Sequence, residues 1–402
     1  MRRLAILLLL VGIAPLAFAE KHDATQMVTV EQLEQALATA HSRWDGKLAK
    51  QISYMKLTER LSDARFARLE KELHGPQSRQ ALLALADESQ FLDLPAAEIP
   101  SNAVPSAAGQ AELLAKTMDY VNKAVAKLPN FYAIRTTTLF LGTPTVISDK
   151  LHDWLFQDLE GVSYRRLIAT GITSVTVLYR NGQDAYPDNK KRVESECHNP
   201  YGAVSSGQFG EMLTFFTKVA AQGKIHWSHW ELGPTGLQAV FHYTAVLDFQ
   251  ETLNCPNEVG LPQGPVNYQG EIGVNPSDGS VLRFTRIEHT PEDVGFGPQK
   301  GEGDMLVEYG PMEIGGMNYI CPVKSVFIGL YSGVVGPRKL LDSINRSYGL
   351  TEDAVQELLD DVTFGQYHLF RAEAHILPGE SPIPDATPSA SSPAPPAASP
   401  QR

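Results

Sequence analysis

The sequence has few of the features that mark several common protein classes. It contains three cysteines in 402 residues, Cys197, Cys255 and Cys321, and none belongs to a CxxC pair, so no pattern points to a zinc ribbon or a dithiol redox site. Lys and Arg are outnumbered by Asp and Glu, which gives a net charge of −12. This acidic balance argues against a nucleic-acid partner, because such a partner needs clustered cations.

Motifs for catalysis are also missing. No G-x-S-x-G is present, and the pairs Ser206-Gly207 and Ser332-Gly333 lack that spacing. Gly301-Glu302-Gly303 is not followed by G-K-[ST], so it is not a phosphate-binding loop. Adjacent carboxylates such as Asp360-Asp361 are more typical of solvated faces or helix ends than of an acid–base pair. We therefore expect a non-catalytic protein that uses no cofactor.

The N-terminus has the three parts of a secretory signal. Arg2 and Arg3 precede an apolar run over 4–18, and Ala17-Phe18-Ala19 is an A-x-A cleavage site. The run is short for a membrane span and Pro15 interrupts it, so cleavage after Ala19 is favoured over a retained anchor. No later run approaches 18 apolar residues, and we expect a periplasmic or extracellular protein that is not an integral membrane protein after cleavage.

Export bears on the cysteines, because an oxidising compartment favours disulfides. Three cysteines allow one bond and one free thiol. We favour a bond between Cys255 and Cys321, which follow or lie on predicted strands, whereas Cys197 lies beside the loop at 198–202.

Helical periodicity marks residues 20–94 as a small all-α module. Thr29 and Gln32 form a capping-box pair, and Ser62 is placed to cap a later helix in which Phe66 contacts Leu61 as a hydrophobic staple. Residues 95–109 contain three prolines and read as a linker, and the Pro/Ala/Ser-rich stretch 378–402 is predicted to be disordered.

The apolar period changes from helical to twofold at Phe131, which predicts a β-rich domain over 110–377 with covering helices at 110–128 and 209–222 and a helical insert at 337–359. Short turns such as Asn181-Gly182 and Gly315-Gly316 force antiparallel neighbours. The predicted strands span 132–141, 172–179, 225–232, 237–247, 268–274, 281–288, 305–309, 319–330 and 367–376. The fold class is therefore α+β, with a curved antiparallel β-meander, a half-barrel, preceded by the all-α module.

One hairpin is rich in histidine, with the sequence His226-Trp-Ser-His229-Trp-Glu231 in its first strand. A turn at 233–236 predicts that Trp227 lies opposite His242, His229 opposite Val240 and Glu231 opposite Gln238. His229, His242 and Glu231 on one face are weak candidates for a metal site. The alternative is an aromatic–imidazole patch on a half-exposed sheet.

Several strands are apolar on both faces, so both faces need a cover. Curvature gives the sheet a concave side, which we expect to be a dry pocket for an apolar ligand. The predicted lining residues are Tyr243, Phe284, Val307, Tyr309 and Phe327. The alternative is that the amphipathic helices fill this space.

Two segments carry a resemblance to a known family. The strand–turn–strand stretches 268–284, with Ser277-Asp278-Gly279 at the turn, and 307–322, with Gly315-Gly316 at the turn, look like the cores of the outer-membrane lipoprotein carrier superfamily (LolA, LolB and RseB). The resemblance covers about 110–335. It implies a curved sheet with helices in its mouth that binds acyl chains. The whole chain also resembles uncharacterised secreted proteins of acidobacterial type.

Three functional hypotheses follow. The first is an exported, periplasmic binding module for an apolar ligand of acyl-chain or lipoprotein type, or for an envelope protein that the helical module contacts. The second is a structural or interaction scaffold of the envelope whose sheet is filled. The third is a secreted hydrolase or metal enzyme that uses the histidine-rich hairpin.

Overall fold

A computed structural model of the chain describes residues 25–40, 44–142, 145–146, 167–185, 208–248, 265–289, 303–332 and 354–370. The predicted signal peptide, the Pro/Ala/Ser-rich stretch 378–402, Cys197 and Cys255 lie outside the described residues, as does most of the helical insert predicted at 337–359.

The N-terminal part is helical, as the apolar spacing predicts, and has a core of its own. Its helices are α1 (Val30–Thr39), α2 (Asp45–Ile52), α3 (Asp63–Glu72) and α4 (Pro76–Glu88). A short parallel pair joins β1 (Gln26–Val28) to β2 (Met55–Leu57), and two 3₁₀ turns follow α4, at Ser89–Phe91 and Ala96–Glu98. Val30, Leu33, Leu61 and Leu82 are fully buried in this core. We call residues 25–94 the helical module.

Local capping explains where the helices of the module begin. The capping box at Thr29 and Gln32 is confirmed, since each side chain accepts a hydrogen bond from the other residue's backbone N–H. Ser62 occupies the N-cap position of α3, but its side chain makes no capping hydrogen bond. At α4 the carboxylate of Asp45 accepts hydrogen bonds from the backbone N–H groups of Gln77 and Ser78, which ties α2 to α4.

Two further helices lie within the β-rich part of the chain. Helix α5 (Ala107–Lys127) begins after Ser106, whose hydroxyl accepts a hydrogen bond from the N–H of Gly109, and α6 (Glu211–Ala221) precedes the histidine-rich hairpin. None of the described helices is long and apolar enough to cross a membrane.

The remaining elements form one large antiparallel sheet. Its strands are β3 (Phe131–Leu141), β4 (Thr145–Val146), β5 (Ile168–Arg180), β6 (Gln183–Ala185), β7 (Ile225–Gly233), β8 (Gly236–Asp248), β9 (Pro265–Val274), β10 (Val281–His289), β11 (Gly303–Ile314), β12 (Met317–Ser332) and β13 (Ala354–Leu369). The order is β6-β5-β3-β13-β12-β11-β10-β9-β8-β7, and β4 also pairs with β13. Within the described residues β6 and β7 are the two edges, so the sheet is not closed into a barrel.

Eight of the nine predicted strands are present with similar bounds, and the exception lies at β13. The sequence predicts a helix up to Leu359 and a strand from Tyr367, but β13 already starts at Ala354. This strand lies between β12 and β3, where Leu359 pairs with Ile328 on one side and Phe140 on the other. Pairing on both edges in the interior of a sheet outweighs the local helical spacing of its leucines.

The two faces of the sheet have different covers. One face, which we call the apolar face, packs against α5 and α6 through residues that include Leu113, Val121, Phe216 and Val219. The opposite face, the polar face, lies under the helical module. Ala84 of α4 contacts an apolar part of the polar face formed by Phe140, Leu306, Val326 and Leu359.

Candidate functional site

The five residues predicted to line an apolar pocket belong to one hydrophobic cluster. Tyr243, Phe284, Val307, Tyr309 and Phe327 are buried on or beside the apolar face. Sequence alternation therefore grouped them correctly. The same cluster contains side chains of α5 and α6, so the space beside these residues is occupied by the protein itself.

Aromatic packing shows how closely α6 fits this face. The rings of Tyr243 and Phe284 stack with their centroids 5.5 Å apart, and Phe215 of α6 meets both edge-on at 6.2 and 6.0 Å. The Tyr243 hydroxyl donates a hydrogen bond to the carbonyl oxygen of Thr285 at 2.8 Å, which pairs its one polar group.

The histidine-rich hairpin has the predicted register in its second half and a different register in its first half. His229 lies opposite Val240 and Glu231 opposite Gln238, as expected. Trp227, however, lies opposite Phe241 and not His242, so this pairing was predicted wrongly. The cause is a register shift between Trp227 and His229, a β-bulge that inserts one residue and is invisible to a strict alternation pattern.

The proposed metal candidates are engaged in other contacts. Nε2 of His229 lies 3.3 Å from Oε2 of Glu231, and the same oxygen accepts a hydrogen bond from Nη2 of Arg60 at 2.5 Å. The ring of His242 lies beside that of His226, with centroids 5.9 Å apart. Among the described residues no group of three or more His, Cys, Asp or Glu side chains is arranged to hold a metal ion.

Cys321 has a free, buried thiol, so the structure does not support the predicted bond to Cys255. It lies in a cluster with Phe131, Tyr179 and Phe209. Burial raises the pKa of the Cys321 thiol to about 12, which leaves it protonated at neutral pH.

The polar face carries a row of charges that alternate in sign from strand to strand. Arg283 of β10 lies opposite Glu308 of β11, Glu308 lies opposite Lys324 of β12, and Nζ of Lys324 is 3.6 Å from the carboxylate of Asp361 on β13. We call these four residues the charge ladder. Asp361 and its neighbour Asp360 are buried in the sheet, so the expectation of a solvated carboxylate pair was wrong.

The helical module supplies partners for charged residues of the polar face. Asp87 of α4 accepts a hydrogen bond from Lys324 at 2.5 Å, and the carbonyl oxygen of Gln90 accepts one from Arg283 at 2.5 Å. Arg60 pairs with Glu231 at the far end of the face. These contacts join residues 171 to 237 positions apart, so no local pattern in the sequence indicates them.

Burial and neighbouring charges move the pKa values of these carboxyl groups in opposite directions. Burial and the charge of Asp361 raise the pKa of Asp87 to about 7 against the opposing effect of Lys324. Burial and the charge of Asp63 likewise raise the pKa of Glu308 to about 7. Burial also acts to raise the pKa of Glu231, but the hydrogen bond to His229 and the charges of Arg283 and Arg60 lower it to about 2. Glu231 is therefore ionised at neutral pH, whereas Asp87 and Glu308 titrate there.

A cleft of about 260 Å³ lies between the helical module and the polar face, and we call it the junction cleft. The module contributes residues around the start of α3 and the two 3₁₀ turns, and the sheet contributes the β7–β8 turn and parts of β10, β11 and β12. Its lining comprises Arg60, Ser62, Asp63, Gln90, Leu94, Glu98, Glu231, Leu232, Gly233, Pro234, Thr235, Gln238, Leu282, Arg283, Glu308, Tyr309, Gly310, Pro311 and Val323.

Three polar atoms of residues that line the junction cleft are buried and have no hydrogen-bond partner among the described residues. They are Nη1 of Arg60, Oγ of Ser62 and Oε1 of Gln238. Sequence reasoning named Ser62 as a helix cap and Glu231 as a metal candidate, but it did not identify Arg60, Arg283 or Gln238. The available signal was the presence of Arg283 within an apolar strand.

Comparison with models of known protein families, with curated proteins and with solved structures finds no match to this chain, so its functional assignment rests on the geometry of the two faces and the cleft.

Proposed function

We propose that the chain is an exported, non-catalytic interaction scaffold of the cell envelope, located in the periplasm or outside the cell. The observation that carries this proposal is the occupied apolar face. Tyr243 and Phe284 pack against Phe215, and Val307 and Phe327 share their cluster with Phe216. A face that is already packed at protein-like density has no room for an acyl chain unless a helix moves away.

The charged residues of the polar face support a structural role. Lys324, Arg283 and Glu231 each have a partner in the helical module, so their charges are used to hold the module on the sheet. A catalytic carboxylate or base needs access to a substrate, and these groups are committed to intramolecular pairs.

We further propose that the sheet curves around α5 and α6 as a half-barrel, in the manner of the superfamily that its hairpins resemble. Both helices pack on the same face, and the twist of antiparallel strands favours such curvature. In this arrangement the concave side is core, and the helical module on the other side of the sheet is available to envelope partners.

A second candidate is an apolar-ligand carrier in which α6 acts as a lid. The observation that favours it is the wholly apolar character of the residues under α6, which include Tyr243, Phe284 and Val307 from three different strands. If α6 swings away, these residues form the floor of a pocket of the kind first expected from the sequence.

Titration with an environment-sensitive fluorescent acyl chain separates the two candidates. For the scaffold, we expect no saturable binding to the natural chain. The variant Phe215→Ala serves as a positive control, because removing a ring that touches Tyr243 and Phe284 leaves an apolar cavity, and such cavities bind apolar molecules. Saturable, stoichiometric binding to the natural chain contradicts the scaffold and supports the carrier.

A further inference from the structure

The junction cleft contains buried polar groups that the described residues leave unpaired. Arg60 is almost completely buried, and Nη2 is held by Glu231, yet Nη1 has no acceptor in the described part of the chain. Gln238 is equally buried, and Oε1 has no donor there. Buried polar groups are nearly always paired, so each of these atoms calls for a partner from outside the described fold.

The unpaired atoms specify what that partner must offer. Nη1 of Arg60 can only donate a hydrogen bond, and Oε1 of Gln238 can only accept one. Glu231 lies directly opposite Gln238 in the hairpin and binds Arg60, so the unpaired donor and acceptor flank one carboxylate. A ligand must therefore present an acceptor and a donor close together, as an amide group does.

The charges around the cleft exclude a charged ligand. The positive charge of Arg60 is matched by Glu231, and Arg283 lies 3.6 Å from the carboxylate of Glu271. A phosphate or carboxylate entering the cleft would meet Asp63 and Glu308, and an amine would meet the two arginines. A neutral ligand avoids both costs.

The walls of the cleft are aliphatic. Leu94, Leu232, Pro234, Pro311 and Val323 line it, and Leu232 is 67% exposed at the end of β7. The aromatic residue among the lining side chains, Tyr309, is buried, so it offers no open ring on which a sugar could stack. The volume of about 260 Å³ is slightly below the range of drug-sized pockets, which fits one or two residues of a longer molecule.

We infer that the junction cleft binds an uncharged segment of an extended peptide, with an aliphatic side chain against Leu232 and Val323 and a backbone amide paired with Arg60 and Gln238. This inference rests on the proposed role as an interaction scaffold and names the chemistry of the partner. The cleft lies on the polar side of the sheet, so it is separate from the apolar face where the carrier hypothesis places an acyl chain.

The test uses the full exported chain and an immobilised library of hexapeptides with acetylated N-termini, amidated C-termini and uncharged side chains. The tightest binder is then labelled and titrated by fluorescence anisotropy. Leu232→Ser is expected to weaken its binding about tenfold, because an exposed apolar contact is lost. Gln238→Leu is expected to weaken it by about tenfold or more, because the peptide donor then has no acceptor.

Met317→Ser is the matched control, since Met317 is also a large, exposed apolar residue at a hairpin end but does not line the cleft. It is expected to leave the affinity unchanged. Melting curves show whether Gln238→Leu folds, and Leu232→Ser decides the question if it does not, because its site is exposed.

Three outcomes overturn the inference. If no library member binds, or if a glycan array is bound in preference, the peptide class is wrong. If Leu232→Ser and Met317→Ser have the same effect, the peptide binds elsewhere, and the interaction role survives while the cleft assignment does not. Failure of the scaffold proposal itself appears in a different experiment, as binding of the fluorescent acyl chain to the natural protein.

Discussion

Nζ of Lys324 lies 2.5 Å from Oδ1 of Asp87, although the two residues are 237 positions apart in the chain. Asp87 is fully buried, and Lys324 also lies 3.6 Å from Asp361. The ion pair therefore fastens α4 to the polar face at a place from which water is excluded. A pair of this kind is costly to break on one side, because the remaining charge stays buried without compensation.

Replacing Lys324 by Met should lower the free energy of unfolding at neutral pH by about 3–5 kcal/mol, since Asp87 and Asp361 both lose their nearest cation. Urea unfolding measures the change. The control is Lys123→Met, because Lys123 forms an exposed i,i+4 pair with Asp119, and its loss should cost less than about 1 kcal/mol. Similar losses for the two variants would show that the buried pair is no stronger than a surface one.

The raised pKa of Asp87 predicts a pH dependence of stability. Burial raises this pKa to about 7 in the folded chain, whereas an unfolded Asp titrates near 4. Between about pH 4 and 7 the folded state therefore binds more protons, and the free energy of unfolding falls as the pH rises. Asp87→Asn should flatten this part of the curve in urea unfolding at several pH values. Asp93→Asn, at an exposed position nearby, should keep the natural slope, and parallel curves for Asp87→Asn and the natural chain would rule the assignment out.

Glu231 has the opposite effect on the acid side. Its pKa is lowered to about 2 from an ordinary value of 4.5, so the stability it contributes is present above about pH 4.5 and lost as the pH falls towards 2. The shift corresponds to about 3 kcal/mol. We expect Glu231→Gln to be less stable than the natural chain at pH 6 and to show a smaller loss between pH 4.5 and 2. Glu72→Gln, an exposed change on α3, is the control; if it alters the acid limb equally, the effect does not come from Glu231.

The strands were predictable because their signals are local. Twofold alternation and tight turns located eight strands, and Asn181, Gly182, Gly315 and Gly316 have the positive φ angles that such turns require. The register of Glu231 with Gln238 followed from its turn, since counting from Gly233 and Gly236 involves no irregularity. The count failed beyond the β-bulge next to Trp227, where one extra residue moves every later side chain to the other face.

The site was not predictable because its contacts are distant in the sequence. The pairing of Arg60 with Glu231 and of Lys324 with Asp87 depends on how the helical module lies on the sheet, and helical periodicity says which face of a helix is buried but not against what. Charged residues at buried strand positions, such as Arg283 and Glu308, were present in the sequence as a warning of buried partners. Their partners became identifiable once the strand order was known.

The last prediction concerns the contact between the β9–β10 turn and α5. Gly279 has φ +77°, and a Cβ at this position would lie 2.6 Å from the backbone carbon of Lys116 and 2.7 Å from the nitrogen of Thr117. Gly279→Ala therefore costs conformational energy and also pushes α5 away from the apolar face. Gly182 is the matched control, because it has a similar φ of +84° but no neighbouring atom within 4 Å of a built Cβ.

We expect Gly182→Ala to lower the free energy of unfolding by about 1 kcal/mol, the cost of a left-handed conformation with a side chain. Gly279→Ala should lower it by at least about 2 kcal/mol, because the backbone of α5 must shift as well. Urea unfolding gives both values, and hydrogen exchange should accelerate in α5 for Gly279→Ala alone. Equal losses, with α5 protected to the same degree in both variants, would mean that the turn does not press on α5 and that the helix is held to the apolar face by its own side chains.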